Sequence, residues 1–360
     1  MLNPFRYLDD FRGDAVCAWM RANLEIPSVV TVLYIVMVLY VPRTFMKHRP
    51  AYNLRALNLI WNLGLSLFSC CGAYYCLPEV FKSLFISEFT VRNFSKGETV
   101  TLHGSFYKGV CGWNADVFYD GPVGAFLCLF ILSKIPEMID TAFLVFQKKR
   151  VIFLHWYHHV TVMLYCWHSY MYKISGGLVF AGMNYGVHSI MYFYYFICTC
   201  GYRKYVRPFA SLITFLQIAQ MVVGMFTEVY TLYHMYVSGK GCQSNATNAR
   251  VGLMMYMSYF ILFSKLFYES YLRRGKKHGS MVASTGTGHQ CKRLLCTGQA
   301  VATVKGASDD TLASDAAPSM LAKQVPDVYQ VKRRHKYIEV KKKNDTNCKV
   351  ATDSPDREIL

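Results

Sequence analysis

Long apolar blocks separated by short polar links restrict this chain to a membrane fold. A helix needs about 20 mostly apolar residues to cross the hydrocarbon core of a bilayer. The sequence predicts seven such helices, with approximate ranges 27–46, 54–76, 121–146, 151–172, 176–198, 206–236 and 251–271. The chain is 53% hydrophobic and 16% aromatic, too apolar for an ordinary soluble domain. We therefore expect an all-α integral membrane protein with seven transmembrane helices.

The predicted helices divide the chain into three regions. Residues 1–26 form a charged N-terminal segment without the apolar core of a signal peptide. Residues 27–272 contain all seven predicted helices. Residues 273–360 form a basic tail rich in Ser, Thr, Ala, Gly and Lys without apolar periodicity, which predicts disorder. Its basic clusters could contact anionic lipid heads or nucleic acid, but we expect a solvated tail with no nucleic-acid partner.

Lysines and arginines near the predicted helix ends indicate how the chain is oriented. They concentrate in alternate links, at residues 42–53, 147–150 and 199–205, and directly after the last helix. Cytoplasmic links carry such an excess of basic residues. The N-terminus is therefore predicted outside the cytoplasm and the C-terminus inside it. The glycosylation sequons at Asn93 and Asn245 fall in predicted lumenal links.

The 13 cysteines do not follow a metal-ligand spacing. Those in or beside the predicted helices are expected to be small buried hydrophobes. Cys111 and Cys242 differ, because each falls in a predicted lumenal link, where the medium is oxidising. We expect a disulfide between these two residues.

Ionisable groups inside predicted helices are functional candidates, because each costs about 2.5–3.5 kcal/mol on insertion scales. The third helix contains "KIPEMIDT", which places Lys134, Glu137 and Thr141 on one face. Asp140 lies beside them, and Pro136 is expected to kink the helix. The sequence leaves open whether this cluster is a structural ion-pair network or part of a catalytic site.

The fourth predicted helix contains three histidines within five residues, in "FLHWYHH". His155, His158 and His159 stand at positions i, i+3 and i+4, so their imidazoles can converge on one point. A single buried histidine is usually a structural core residue. Three at this spacing are not easily explained in that way and indicate a functional site.

Polar residues also follow one face of each of the next two predicted helices. They are Asn184, His188, Tyr192 and Tyr195 in "NYGVHSIMYFYY", and Gln217 and Gln220 in "TFLQIAQ". Aromatic packing and hydrogen bonds between helices explain the tyrosines and glutamines, but explain His188 poorly. A polar substrate channel is the functional alternative.

Three functions can use such a histidine cluster. A di-iron site, as in membrane desaturases and hydroxylases, requires several histidine boxes, and only one is present here. A single metal bound by His155, His159 and a third ligand stays open. The second function is metal-free acyl transfer, in which a neutral imidazole attacks an acyl thioester and another shuttles protons. The third is a seven-helix transporter or receptor with a histidine ion path.

Four of these motifs, in this order, resemble the ELO family of very-long-chain fatty acid elongases. "VIFLHWYHH" looks like the signature of that family, and "KIPEMIDT", "HSIMYFYY" and "TFLQIAQ" match its other three motifs. The resemblance implies an endoplasmic reticulum membrane enzyme with a lumenal N-terminus and a cytoplasmic C-terminus. It also implies that six of the seven helices form an inverted barrel around a tunnel for the acyl-CoA.

The resemblance implies a 3-oxoacyl-CoA synthase, which condenses malonyl-CoA with a fatty acyl-CoA to give a product two carbons longer. By motif position, His158 would be the nucleophile that forms an acyl-imidazole, and His188 its partner, with His155 and His159 completing the catalytic group. The residues implied to bind substrate are Lys134, Glu137, Asp140, Asn184, Tyr192, Tyr195, Gln217 and Gln220. No metal or other cofactor is expected beside the two CoA substrates.

The resemblance also bears on substrates and partners. "LHWYHH" and "MNYGVH" look like members that act on saturated and monounsaturated chains, whereas other members differ at Trp156. Phe226, Tyr230 and Phe267 are candidates for closing the tunnel and so setting chain length. The elongation cycle implies a 3-ketoacyl-CoA reductase, a dehydratase and an enoyl reductase as partners, within the lipid bilayer. A homo-oligomer is left open.

Overall fold

The computed structural model describes residues 6–112, 115–273, 330–334, 337–341 and 348–351. They belong to two compact units, Met1–Thr287 and Gly288–Leu360. The helices of the first unit are α1 (Arg6–Asp9), α2 (Gly13–Ala22), α3 (Glu25–Leu39), α4 (Arg55–Phe85), α5 (Phe106–Val110), α6 (Ala115–Phe118), α7 (Gly121–Ser133), α8 (Ile139–Phe146), α9 (Phe153–Met171), α10 (Gly177–Ile197), α11 (Arg203–Val206), α12 (Ala210–Tyr236) and α13 (Ala246–Phe267).

Several of these helices are suited to cross a membrane. Within the described residues, four segments are long and apolar enough, namely Arg55–Phe85, Gly121–Phe146, Gly177–Tyr236 and Ala246–Leu272. A fifth crossing arises if α2 and α3, which meet at 65°, form one bent span. This confirms the prediction of a helical multi-pass membrane protein, whereas the number seven stays a prediction.

One of the four segments contains two predicted helices, and one predicted helix lies outside all of them and outside the bent pair α2–α3. The segment Gly177–Tyr236 contains both α10 and α12. The chain leaves the helical conformation between them at Gly201, where φ is +106°. Helix α9 is not among the four segments, and four of its 19 residues are histidines.

The third predicted helix is interrupted at its proline. Helix α7 ends at Ser133, a short 3-10 turn occupies Pro136–Met138, and α8 begins at Ile139. Proline lacks a backbone N–H and so cannot continue the hydrogen-bond ladder of a helix. The kink predicted at Pro136 is present, and Lys134 and Glu137 lie within it.

Helix α4 packs closely against α10 and extends well past its predicted end at residue 76. Pro78 lies inside the helix without ending it. At the contact, Gly72 faces the buried ring of Tyr185, whose hydroxyl donates to the carbonyl of Phe126 at 2.9 Å. A Cβ at position 72 would lie 2.3 Å from that ring. The two helices can therefore approach closely only because residue 72 has no side chain.

We expect Gly72→Ala to destabilise the folded protein by about 1–3 kcal/mol, because the ring of Tyr185 must move and loses its hydrogen bond. The measurement is the midpoint of thermal unfolding of the purified chain in detergent. Gly64→Ala is the matched control on the same helix, since a Cβ there would meet nothing within 4 Å. Equal midpoints for the two variants would contradict this packing.

A two-stranded hairpin and a disulfide lie in the links of the first unit that the charge pattern predicts to be lumenal. Strands β1 (Phe89–Asn93) and β2 (Glu98–Leu102) form a hairpin with Val91 opposite Val100. Cys111 and Cys242, the cysteines expected to pair, are bonded, and their Cα atoms lie 4.4 Å apart. The bond joins segments that are 131 residues apart in the sequence.

The second unit contains an antiparallel sheet in the order β3 (Gln330–Arg334), β4 (Tyr337–Lys341) and β5 (Cys348–Ala351). Its register places Val331 opposite Val340 and Ile338 opposite Val350. The disorder predicted for 273–360 stays a prediction, because apart from these strands the range after Arg273 lies outside the described residues.

Candidate active site

Four helices of the first unit contribute polar residues to one cavity of about 250 Å³, which we call the polar chamber. Of the predicted site residues, it is lined by Asp140 from α8, His155, His158 and His159 from α9, Asn184, His188, Tyr192 and Tyr195 from α10, and Gln217 and Gln220 from α12. Ten of the twelve residues predicted from the four motifs therefore face the same space. Lys134 and Glu137 do not line the chamber.

A second, narrower cavity of about 50 Å³ adjoins the polar chamber, and we call it the apolar cavity. Its walls are mostly apolar and aromatic side chains of α7, α9, α10 and α13, including Phe130, Val162 and Met255. The two cavities share the lining residues His158, Asn184, Gln220 and Met221. A ligand with a polar head and an apolar chain would fit with its junction at these residues.

Lys134 and Glu137 form an ion pair behind the wall of the chamber. The Lys134 Nζ donates to the two carboxylate oxygens of Glu137 at 2.7 and 3.0 Å, and both residues are at most 3% exposed. Lys134 Nζ also donates to Asn184 Oδ1 at 3.3 Å. His188 Nδ1 lies 4.0 Å from Glu137 Oε2. The pair therefore positions Asn184 and His188, which do face the chamber.

Asp140 lies apart from that ion pair, although the sequence places it beside Lys134. The indole N–H of Trp61 donates to Asp140 Oδ1 at 2.6 Å, and the Tyr192 hydroxyl donates to Oδ2 at 2.8 Å. The break at Pro136 separates α8 from α7, so a single helical face does not hold both groups. Trp61 could not be predicted from the sequence, because one tryptophan in an apolar helix has no distinguishing pattern.

Two side chains orient His155. Its Nε2 forms a hydrogen bond of 2.9 Å with the Thr141 hydroxyl, and that hydroxyl forms a second bond of 2.6 Å with the Tyr34 hydroxyl. The rings of His155 and His159 contact each other with centroids 4.7 Å apart. These two hydrogen bonds fix the position of His155, at one side of the histidine cluster. Tyr34, on α3, is a further contributor that the motifs do not reveal.

His158 is the histidine that lines both cavities. Its ring contacts Tyr259, with centroids 5.0 Å apart, and its backbone carbonyl accepts a bond of 3.3 Å from the Tyr259 hydroxyl. Among the described residues, no hydrogen bond to its ring nitrogens is found. The imidazole is therefore held by packing while its nitrogens are left available to a bound molecule.

The glutamines and Tyr195 complete the chamber. Gln217 Nε2 lies 3.2 Å from the sulfur of Met191, a weak acceptor, so its amide has little competition for a substrate. Gln220 is 7% exposed and lines both cavities. Tyr195 lines the chamber near its outer edge and is 43% exposed.

The aromatic residues expected to close the tunnel lie elsewhere. Phe226 and Tyr230 pack against Phe106, with ring centroids 5.7 and 4.9 Å apart, and Phe226 is 58% exposed. Phe267 contacts Tyr271. None of the three lines either cavity. The prediction was wrong because side-chain size in a helix does not say which face meets the cavity.

The two sequons differ in their surroundings. Asn93 is 4% exposed, and its Oδ1 accepts hydrogen bonds from Ser95 and Lys96. Asn245 caps α13 by accepting from the backbone N–H of Asn248 at 3.0 Å. Glycosylation stays a prediction at both positions, and Asn245 is the more accessible of the two.

The histidine cluster was also compared with the geometry of metal sites. Over the part of the chain that the structure describes, no three His, Cys, Asp or Glu side chains are grouped so that they could hold one metal ion. The single-metal alternative with His155 and His159 therefore lacks a third protein ligand among the described residues.

Known proteins resemble this chain over most of its length. The family model described as "ELO: GNS1/SUR4 family" matches residues 19–279. "Fatty acid elongase 3" of Trypanosoma cruzi (strain CL Brener) is 54% identical over 272 residues, which cover 74% of this chain and 91% of that protein. "Fatty acid elongase 3" of Trypanosoma brucei brucei (strain 927/4 GUTat10.1) is 50% identical over 271 residues, 74% of this chain and 90% of that protein. "Very long chain fatty acid elongase 4" of Trypanosoma cruzi (strain CL Brener) is 46% identical over 281 residues, which cover 77% of this chain and 92% of that protein.

Proposed function

Because the chain belongs to the ELO family of fatty acid elongases, we propose that it condenses a long-chain fatty acyl-CoA with malonyl-CoA. The membership confirms the resemblance drawn from the four motifs. The products are a 3-oxoacyl-CoA two carbons longer, carbon dioxide and free CoA. The substrates we propose are saturated or monounsaturated chains, on the basis of the motif around Trp156.

The observation that carries this proposal is the position of His158 at the junction of the two cavities. An acyl-CoA whose chain occupies the apolar cavity and whose CoA part occupies the polar chamber has its thioester carbon at this junction. A ring nitrogen of His158 attacks that carbon, and the carbon–sulfur bond breaks. The imidazole proton moves to the leaving thiolate through His188, which lines the same chamber.

Asn184 and Gln220 are the donors proposed for the oxyanion that forms at the acyl carbon. Both line the junction together with His158. Because the Asn184 Oδ1 accepts from Lys134, the amide N–H groups of Asn184 are free to donate toward the cavity. Donors fixed before the reaction stabilise developing negative charge more than water does.

The second half-reaction takes place in the polar chamber after CoA has left. Malonyl-CoA loses carbon dioxide, and the resulting enolate attacks the acyl carbon. The bond between that carbon and the His158 nitrogen breaks, and the imidazole takes up a proton. Tyr192 and Gln217 line the chamber and can donate to the enolate oxygen. Narrow apolar walls keep water from hydrolysing the acyl-imidazole between the two steps.

We also propose the topology that the sequence predicts. Seven crossings result if α2–α3, α4, α7–α8, α9, α10, α12 and α13 each span the bilayer. Side chains of α7–α8, α9, α10, α12 and α13 line the two cavities, and α4 packs on α10, which supports a barrel of six. We propose an endoplasmic reticulum location, with a lumenal N-terminus and a cytoplasmic C-terminus.

The proposed product defines the other enzymes of the cycle. A 3-oxoacyl-CoA must be reduced, dehydrated and reduced again before the chain can be extended once more. A 3-ketoacyl-CoA reductase, a dehydratase and an enoyl reductase are therefore the proposed functional partners. The condensation itself needs no cofactor beyond its two CoA substrates.

Deletion of residues 279–360 is expected to leave the condensation rate unchanged. The family match ends at residue 279, and every residue that lines the two cavities precedes residue 273. The measurement compares the rate per mole of folded protein for the full chain and the shortened chain. A large loss of rate in a shortened chain that unfolds at the same temperature would show that the tail takes part.

The function is tested by supplying the purified full chain with a long-chain acyl-CoA and carbon-13-labelled malonyl-CoA. We expect a labelled 3-oxoacyl-CoA, detected by mass spectrometry, in an amount equal to the free CoA released from the acyl donor. Omitting either substrate should remove the product. A desaturated or hydroxylated acyl-CoA formed without malonyl-CoA, together with bound stoichiometric iron or zinc, would contradict the proposal.

A further inference from the structure

The apolar cavity reaches the turn that joins α9 to α10. His158 and Tyr170 both line it, and α9 rises about 18 Å between them. Ile174, in the turn, and Gly177, the first residue of α10, also line it. The cavity therefore extends from the junction with the polar chamber to the far end of α9.

Ile174 places a branched side chain at this end of the cavity. It is 2% exposed and belongs to a buried cluster with Tyr165, Phe180 and Met255. Gly177 leaves space beside it, because an added Cβ would meet only the Cγ1 of Ile174, at 3.6 Å. Removing atoms at position 174 should lengthen the cavity, and adding them at position 177 should shorten it.

Ser175 fixes the turn that carries Ile174. It is 0% exposed, its backbone N–H donates to the Gln243 carbonyl at 3.0 Å, and its hydroxyl donates to the Val110 carbonyl. Cys111 and Cys242, the neighbours of these two acceptors, form the disulfide. The Gln243 N–H donates to the Cys111 carbonyl at 2.7 Å. The disulfide thus joins the two segments that hold Ser175.

We propose that Ile174, held through Ser175 by the Cys111–Cys242 disulfide, closes the acyl cavity and sets the longest acyl chain that the enzyme accepts. This inference rests on the proposed function, because it places the acyl chain in the apolar cavity. A chain whose end reaches Ile174 has no space for two more carbons unless the turn moves. The disulfide keeps the turn from moving.

The test measures single condensations of purified full-length variants with a series of saturated acyl-CoAs of increasing length. Ile174→Ala is expected to raise the longest accepted acyl-CoA by at least one two-carbon step, and Gly177→Val to lower it by at least one. Opposite shifts at two neighbouring positions are not expected from a general loss of stability.

Ile213→Ala is the matched control, because Ile213 is buried and lines neither cavity. It should keep the wild-type substrate profile. Cys111→Ser with Cys242→Ser should shift the profile toward longer chains, as Ile174→Ala does. Wild-type profiles in both Ile174→Ala and Gly177→Val, with active enzyme, would overturn the inference and leave the proposed function standing. No condensation by the wild type with any acyl-CoA would overturn both.

Discussion

Replacing His158 with alanine is expected to lower the rate of condensation by at least about 10³-fold. The substitution removes the only imidazole that lines both the polar chamber and the apolar cavity among the described residues, and with it the proposed acyl carrier. The fold should persist, because the hydrogen bond from Tyr259 goes to the backbone carbonyl of residue 158. The measurement is 3-oxoacyl-CoA formed per mole of folded protein.

His168→Ala is the matched control, since it removes a histidine from the same helix. His168 lines neither cavity, and its Nδ1 forms a hydrogen bond of 2.8 Å with Asn248. We expect this variant to be somewhat less stable and to keep its condensation rate. A His158→Ala variant that condenses as fast as His168→Ala would show that His158 is not needed for the chemistry.

Removing one partner of the Lys134–Glu137 pair is expected to have the largest effect on stability. Both groups are buried, so Lys134→Met leaves a carboxylate without its cation, and Glu137→Leu leaves an ammonium without its anion. An uncompensated buried charge typically costs about 3–5 kcal/mol. The expected result for each single variant is a lower midpoint of thermal unfolding, or no folded protein.

The double variant Lys134→Met/Glu137→Leu separates stability from function. Replacing both members of a buried pair by apolar residues of similar size is often neutral or stabilising. We therefore expect its unfolding midpoint to return toward that of the wild type while the condensation rate stays low. The low rate follows because Asn184 loses the contact that orients its amide, and His188 loses the nearby carboxylate. Recovery of both stability and rate would show that the pair is only structural.

Helix positions could be predicted from apolar length, but their limits could not. A helix overlaps each of the seven predicted ranges, because burying apolar side chains in lipid depends little on exact sequence. The end of α4 was predicted too early, at residue 76, whereas the helix continues through Pro78 to Phe85. The strands after residue 329 were not predicted, because a short alternating run within a charged tail is a weak signal.

The polar motifs predicted which side chains line one cavity, because side chains with no place in lipid must face the interior of the helix bundle. The partners that fix them could not be predicted. Trp61 on α4 and Tyr34 on α3 reach Asp140 and Thr141 across the bundle, and no spacing in the sequence links them. The separation of Asp140 from Lys134 likewise depends on the direction in which α8 leaves the break, which only the three-dimensional structure shows.

The intact mass of the protein shows whether His158 carries the acyl group. The purified full chain is incubated with a long-chain acyl-CoA without malonyl-CoA, alongside the His158→Ala variant. We expect a mass increase of one acyl group in the wild type, its absence in the variant, and its loss when malonyl-CoA is added. Condensation of both substrates by a wild type that never gains an acyl group would contradict this expectation and indicate direct transfer between the two bound thioesters.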